Sequence, residues 1–367
     1  MESYQELAPL ELLARSLGAA PSGPLGPTVT RWDRLGREAA EELVVNALPE
    51  VVELCTSGST GPAAPWRHSG RQLWTEAGML ADLVRADRPR AILSFAPPTH
   101  LYGLIATALL PAVLGLPLCY WPRYGLPAPA IDADRWLVVA IPWAFPVLLR
   151  DQSVLGRREH VTVLHSTATL PATAGEFVSA ARPGGVRLIE LFGSTETGAI
   201  AYREQADEPS PWTLMDDVRF TDDPGDARLG VTSPRLALTP EGRPMTRWTT
   251  DDYVQRLDDR SFHFHGRRHR LIKVNGRRID LDLVEEQLRA ALPCADLTCV
   301  PVTDRIRGEH VELLVAGPDE PHLVHRRTAE TLRALGVTVG RITIVDAIDR
   351  SDTGKPRRIA DRRAVSP

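Results

Sequence analysis

Thr56-Ser57-Gly58-Ser59-Thr60-Gly61 and Phe192-Gly193-Ser194-Thr195-Glu196-Thr197-Gly198 are the two strings on which the reading of this chain turns. The first follows a short apolar run, Val51 to Cys55, which predicts a buried strand delivering a loop. Glycine lets the backbone turn sharply and aim successive N–H groups at one spot, and Ser and Thr add donors without bulk, so the segment suits a triphosphate. No lysine follows Gly61 at the spacing of a phosphate loop ending in Gly-Lys-Ser/Thr, which weakens a kinase or GTPase reading. Taken alone, such a string equally suits a plain flexible loop.

The second string follows Arg187 to Leu191, another predicted strand. An aromatic, a glycine, hydroxyl residues and one carboxylate then come in quick succession. Phe192 could stack an adenine, Thr195 hold a phosphate, and Glu196 sit on a Mg2+ that bridges phosphate oxygens. The bland alternative is a strand-end turn whose Glu196 is merely solvated.

The order of motifs along the chain separates these readings. The two strings are followed by Thr250-Asp251-Asp252, Gly266-Arg267, Ile272-Lys273-Val274-Asn275-Gly276 and Ser351-Asp352-Thr353-Gly354-Lys355. This succession, from about Val51 to Arg363, resembles the adenylate-forming superfamily of acyl- and aryl-CoA synthetases, peptide-synthetase adenylation domains and firefly luciferase. The resemblance implies a large N-terminal domain that binds ATP and an organic acid, residues 1–265, and a small mobile C-terminal α+β lid, residues 266–367, hinged at Gly266 to Arg270.

The 367 residues are enough for more than one core, and 43% hydrophobic with 25% charged residues is the composition of an ordinary globular protein. A net charge of -4 gives no global pull toward nucleic acid or acidic membranes. The arginines between 266 and 278 lack the interleaved aromatics of a nucleic-acid binder. Four cysteines without zinc-like pairing and a start without a basic-then-apolar leader point to the cytoplasm. Leu101 to Leu118 is apolar, but Gly103, Pro111, Gly115 and Pro117 interrupt it, so a buried helix feeding a strand is expected rather than a membrane span.

Alternating patterns predict a layered α/β sheet: strands at 51–55, 90–95, 117–121, 136–140, 161–165 and 187–191, and helices at 70–86, 101–115, 142–150 and 172–181. Residues 1 to about 50 read as an arm laid on the main body, and 218–264 as a small β subdomain. The lid should carry helices near 280–292 and 323–335 and strands near 297–302, 309–316 and 341–346. The resembled family has a longer segment ahead of its first string. A shortened N-terminal part is therefore expected, with an exposed face suited to a homodimer.

Residue roles follow from the resemblance. It implies that Thr56, Ser57, Gly58, Ser59, Thr60 and Gly61 cradle phosphates, while Phe192, Gly193 and Ser194 border the nucleotide. Thr195 and Glu196 act at the phosphates, Glu196 as a metal ligand, and Asp252, with Asp251 as competitor, grips the ribose hydroxyls. Arg267 reaches the ribose or phosphate, or belongs to a solvated arginine cluster. Lys355 bridges carboxylate and α-phosphate during adenylation, and Lys273 faces the site during thiol transfer. They are the only two lysines among 43 Lys and Arg residues, and both fall on motifs. Ala64 stands where the family usually has a loop lysine, and Arg67 or His68 is the expected substitute counter-charge.

In Pro97 to Leu104, His100 occupies the place of the residue that gates the acid in acyl- and aryl-acid ligases, and no Asp is present there to pair with an amino acid's ammonium. Trp66, Trp74, Tyr102, Trp121 and Trp143 are available as pocket walls or core. The expectation is an ATP- and Mg2+-dependent ligase that joins an aryl or medium acyl carboxylic acid to AMP. It then passes the acyl group to the thiol of CoA or of a carrier protein's phosphopantetheine. An o-succinylbenzoate-CoA ligase and a non-catalytic ATP-binding relative are the alternatives.

Overall fold

The computed structural model describes residues 4–19, 25–55, 65–123, 131–150, 155, 158–167, 170–180, 185–205, 210–221, 227–239, 241–274, 277–292, 296–304, 308–317, 320–335, 337, 339–350 and 356. The N-terminal stretch contributes strand β1 (Gln5–Glu6), helix α1 (Pro9–Ser16), β2 (Thr28–Arg31) and α2 (Arg37–Ala47). Next come β3 (Val51–Cys55), β4 (Pro65–Ser69), α3 (Gly70–Arg85) and β5 (Ala91–Ser94). A continuous helical stretch follows, α4 (Leu101–Gly103), a π-helical segment (Leu104–Leu109) and α5 (Leu110–Leu114), leading into β6 (Pro117–Tyr120). The layered pattern closes with β7 (Arg135–Ala140), α6 (Ala144–Arg150), β8 (His160–His165), α7 (Ala172–Ala180) and β9 (Val186–Ser194).

Strands β5 to β9 pair in parallel, apart from the crossovers their helices provide, in the order β6-β5-β7-β8-β9. Their sequences are almost uninterrupted apolar runs, such as Trp136-Leu137-Val138-Val139-Ala140, because both faces of a parallel sheet are covered. Helix α3 starts on a capping box: Ser69 accepts from the Gln72 amide and the Gln72 side chain accepts from the Ser69 amide, an arrangement that contributes about 1 kcal/mol.

Beyond β9 the sheet continues antiparallel through β10 (Gly198–Glu204) and β11 (Trp212–Leu214), and it ends with β12 (Arg219–Phe220), β13 (Arg228–Thr232), β14 (Trp248–Arg256) and β15 (Ser261–Arg267). The order is β9-β10-β11-β15-β14-β13-β12. The strand-rich region foreseen at 218–264 is present and is joined to the main sheet by β11 pairing with β15.

Two expectations are corrected. The first 50 residues are not an arm laid on the body. β2 pairs antiparallel with β6 and β1 pairs with β2, so they complete the edge of the main sheet. Nor is β3 a buried strand of that sheet: among the described residues it pairs with β4 alone, in a hairpin, with Val52 and Leu54 inward and Val51, Glu53 and Cys55 exposed. A two-stranded ribbon has one covered face, and the burial alternates accordingly.

The C-terminal part holds β16 (Leu271–Val274), β17 (Arg277–Asp280), α8 (Leu281–Ala291), β18 (Asp296–Asp304), β19 (Gly308–Ala316), α9 (Pro321–Ala334) and β20 (Val339–Ile344). Its apolar side chains, from Ile272 to Val337, form a cluster separate from the one that runs from Leu7 to Phe262. Arg270, fully buried, ties the incoming chain to this part through Asp282, Glu285 and the carbonyl of Cys299. Among the described residues no helix is long and apolar enough to cross a membrane.

Candidate active site

The second sequence string forms the turn between β9 and β10. Strand β9 runs on through Phe192, Gly193 and Ser194, so these three are part of the ladder rather than beyond its end. Ser194 pairs with Gly198 and Gly193 with Ala199, and a register shift follows between Ala199 and Ala201. A Cβ on Gly193 would stand 2.1 Å from the Gly198 carbonyl oxygen. Gly198 itself has φ +66°, and its Cβ would stand 2.1 Å from Glu76 Oε2. Both positions need glycine for lack of space, and Gly198 also for its left-handed backbone. Within the turn, the Ser194 amide donates to Thr197 Oγ1 at 3.1 Å, and Thr197 Oγ1 donates to the Gly198 carbonyl at 2.9 Å.

Groups from elsewhere fasten this turn. The ring of His68, 2% exposed, donates from Nε2 to the Thr195 carbonyl at 2.7 Å. Burial holds the His68 pKa below its usual value, partly offset by that carbonyl, so the ring is a neutral prop and not the substitute phosphate counter-charge foreseen for it. The Ala237 amide donates to the Glu196 carbonyl at 2.9 Å, and the next amide, Leu238, donates to the Arg67 carbonyl on β4 at 2.7 Å. Residues 237–238 thus bridge the β3–β4 hairpin to the Glu196 turn. Arg67 itself pairs with Glu53 across the hairpin at 3.1 Å.

A buried ionic group completes the support. Glu76 on α3 accepts from the Ala199 amide at 2.8 Å and from Arg235 Nη1 at 2.7 Å. Arg235 also donates to the Ala199 carbonyl at 2.8 Å and to both carboxylate oxygens of Asp217, at 2.7 and 2.8 Å. Its guanidinium is 1% exposed; burial works against the charge, but Glu76 and Asp217 outweigh it and raise the pKa. Glu76, Arg235, Asp217 and the propping role of His68 escape a reading based on motifs. The available signal was a carboxylate, Glu76, on the otherwise apolar face Leu73, Ala77, Leu80, Ala81 and Val84 of α3.

Against this support the Thr195 and Glu196 side chains are half-buried, and among the described residues the Glu196 carboxylate has no hydrogen-bond or ion-pair partner. Nor do the described residues hold any group of three or more His, Cys, Asp and Glu side chains able to cage a metal.

Asp252 and Arg267 are brought together: Arg267 Nε donates to Asp252 Oδ1 at 2.8 Å across the β14–β15 pair. Asp252 is 8% exposed, while Asp251 points outward beside Arg228. Arg267 is thus partnered, with its side chain 42% exposed.

Other expected residues are placed differently. The ring of Phe192 packs on Trp212, Phe262 and Phe264 at centroid distances of 5.0, 5.7 and 5.8 Å, so it belongs to an aromatic cluster and is not a free stacking platform. Tyr102 donates its hydroxyl to the Leu164 carbonyl at 2.6 Å, and burial pushes its pKa well up; it ties α4 to the end of β8. Trp121 stacks on Phe95, with Trp143 edge-on to the same ring, in the core. His100 precedes α4 in extended conformation, half-buried, at the same strand ends as Tyr102. Thr56 to Gly61, Ala64 and Lys355 lie outside the described residues, as does the side chain of Lys273 on β16.

No family model matches the chain. It is 33% identical over 159 residues to the 4-coumarate–CoA ligase of Cereibacter sphaeroides, covering 42% of this chain and 37% of that protein. With the 4-coumarate–CoA ligase of Halorhodospira halophila the identity is 29% over 271 residues, 69% of this chain and 63% of that one. The chain thus spans less than two thirds of the length of these relatives. Its fold matches O-succinylbenzoate coenzyme A synthetase (MenE) from Bacillus subtilis, in complex with ATP and magnesium ion, with a TM-score of 0.64 at 15% identity over 83% of this chain and 68% of that one. The fold is that of adenylate-forming enzymes, and part of the chain is similar in sequence to 4-coumarate–CoA ligases.

Proposed function

We propose that this chain is an ATP-dependent carboxylic acid ligase that forms an acyl-adenylate from an aryl or medium acyl acid and passes the acyl group to a thiol of CoA or of a carrier protein. The observation that carries the proposal is the tie between two described elements: the hairpin whose strands flank 56–64 is linked through residues 237–238 and His68 to the turn that presents Thr195 and Glu196.

The reaction joins two anions, a carboxylate and the α-phosphate of ATP, so cations and aimed donors matter more than a base. Glu196 would hold a Mg2+, which when bound neutralises phosphate charge; its half-buried carboxylate without a partner fits that ion. Asp252 would accept from the ribose hydroxyls. A carboxylate offers about four lone-pair sites, enough to keep the Arg267 bond as well. Lys355 would bridge carboxylate and phosphate, and His100 would stand beside the acid. Residues 266–367 would close over the site as a lid, a division supported by the two separate apolar clusters.

The test is pyrophosphate release with ATP and Mg2+ across a panel of aryl and fatty acids that includes 4-coumarate and o-succinylbenzoate, with Lys355→Ala as control. Release with an acid of one class, lost in the variant, supports the reading. Release unchanged in the variant refutes the role of Lys355, and no release with any acid refutes the ligase.

A further inference from the structure

The three groups that reach from the first half of the site to the Glu196 turn are His68, Gln72 and Glu76, four residues apart. On a helix that spacing puts side chains on one face. His68 just precedes α3, and the other two lie in its first two turns. His68 donates to the Thr195 carbonyl, the Gln72 amide to the carbonyls of Pro234 and Leu236 at 2.9 and 2.8 Å, and Glu76 accepts from the Ala199 amide. Arg235, between Pro234 and Leu236, then grips both Glu76 and the Ala199 carbonyl.

Ala199 is the point at which the β9–β10 register slips. A bulge interrupts the ladder and can aim the adjoining side chains. At this one both polar groups of the Ala199 peptide are taken up by a buried charge pair, the N–H by Glu76 and the C=O by Arg235. The turn before it is thereby fixed on all sides, and Glu196 is the side chain it presents.

We propose that Glu76 and Arg235 are positioning residues: by clamping the Ala199 peptide they hold the Glu196 carboxylate at the point where it meets a nucleotide-borne divalent cation. The proposal rests on the nucleotide-binding part of the preceding reading. Neither residue touches the nucleotide. Their loss weakens the Mg2+-dependent part of ATP binding and spares the part that Mg2+ does not contribute.

Calorimetric titration of ATP into the whole protein, with MgCl2 and with EDTA and without any acid, tests this independently of turnover. In the wild type, Mg2+ is expected to tighten ATP binding. In Glu76→Gln, which keeps an acceptor for the Ala199 amide but not the charge that holds Arg235, and in Arg235→Lys, which keeps the charge but not the fork, that gain should fall about tenfold. Affinity in EDTA should stay within twofold. A purely structural role would lower the melting temperature and the fraction of competent protein without changing the Mg2+ dependence of the affinity of that fraction. Should Glu76→Gln fail to fold, Arg235→Lys carries the same test. Mg2+ dependence unchanged in the folded variants overturns the clamp while leaving the nucleotide site standing. A wild type that binds no ATP, or binds it equally with EDTA, overturns both.

Discussion

Replacing Gly198 by alanine should be among the most damaging one-methyl changes available in this protein, and the structure gives its size. Gly198 has φ +66°, so any L side chain there enters the left-handed region at a cost of roughly 1–2 kcal/mol. The added Cβ would lie 2.1 Å from Glu76 Oε2, and Arg235 Nη1 is 3.1 Å from the same position, so neither can yield into free space. Moving the Glu76 carboxylate breaks its bonds to the Ala199 amide and to Arg235, and bonds to charged groups are worth about 1.5–3 kcal/mol. Together, the backbone strain and the two bonds place the loss at roughly 4–8 kcal/mol. At a slope of about 3 kcal/mol per molar urea, the unfolding midpoint should drop by at least about 1 M. Urea unfolding followed by tryptophan fluorescence measures it. A variant within about 1 kcal/mol of wild type would refute the view that Glu76 is pinned against the turn.

Three further outcomes follow. His165 is fully buried at the end of β8, and burial lowers its pKa to about 3, so the unfolded chain binds the extra proton first. Its contribution to stability is whole above pH 6.5 and declines by about 1.4 kcal/mol per pH unit as pH falls toward 3. Between pH 7.5 and pH 5 the wild type should lose about 2 kcal/mol more than His165→Leu in urea titrations, and equal losses would refute the assignment. Asp252→Asn should weaken ATP binding about 10- to 100-fold in calorimetry, the worth of bonds to a charged acceptor, whereas the outward-facing Asp251→Asn should leave it unchanged. Arg270→Met leaves Glu285 buried and without its main cation, and should cost the C-terminal part about 3–5 kcal/mol, visible as earlier proteolysis after residue 270.

Parallel-sheet strands such as β7 and β8 were legible because burial on both faces demands unbroken apolar runs, and α3 because its apolar side chains recur at helical spacing. The pairings that were missed have little local signal. β1 and β2 are two and four residues long, and only their partner β6 reveals that they form a sheet edge. Val51 to Cys55 looks like a core strand in composition, and its half-exposed state depends on which strand lies beside it. At the site, motif reading named Asp252 and Arg267 separately and gave no sign that they pair; their facing positions on β14 and β15 bring them together.

The least legible part of the site is also the part that gives it a shape. Glu76 and Arg235 lie far from either string and from each other in sequence, and a buried pair of this kind adds little net stability over an apolar one while being costly to break. What it supplies is specificity of position. His68 lies on β4 just ahead of α3, and Gln72 and Glu76 follow about one turn apart on the helix; each touches the Glu196 turn or the segment beside it. The end of β4 and the start of α3 are thereby tied to the turn at three successive places. The first string leaves β3 and returns at β4, immediately before that helix. The hairpin that flanks the first string and the turn of the second, remote in sequence, are thus tied together. A site that must bring together groups on a single small molecule needs that relation more than it needs any one additional contact.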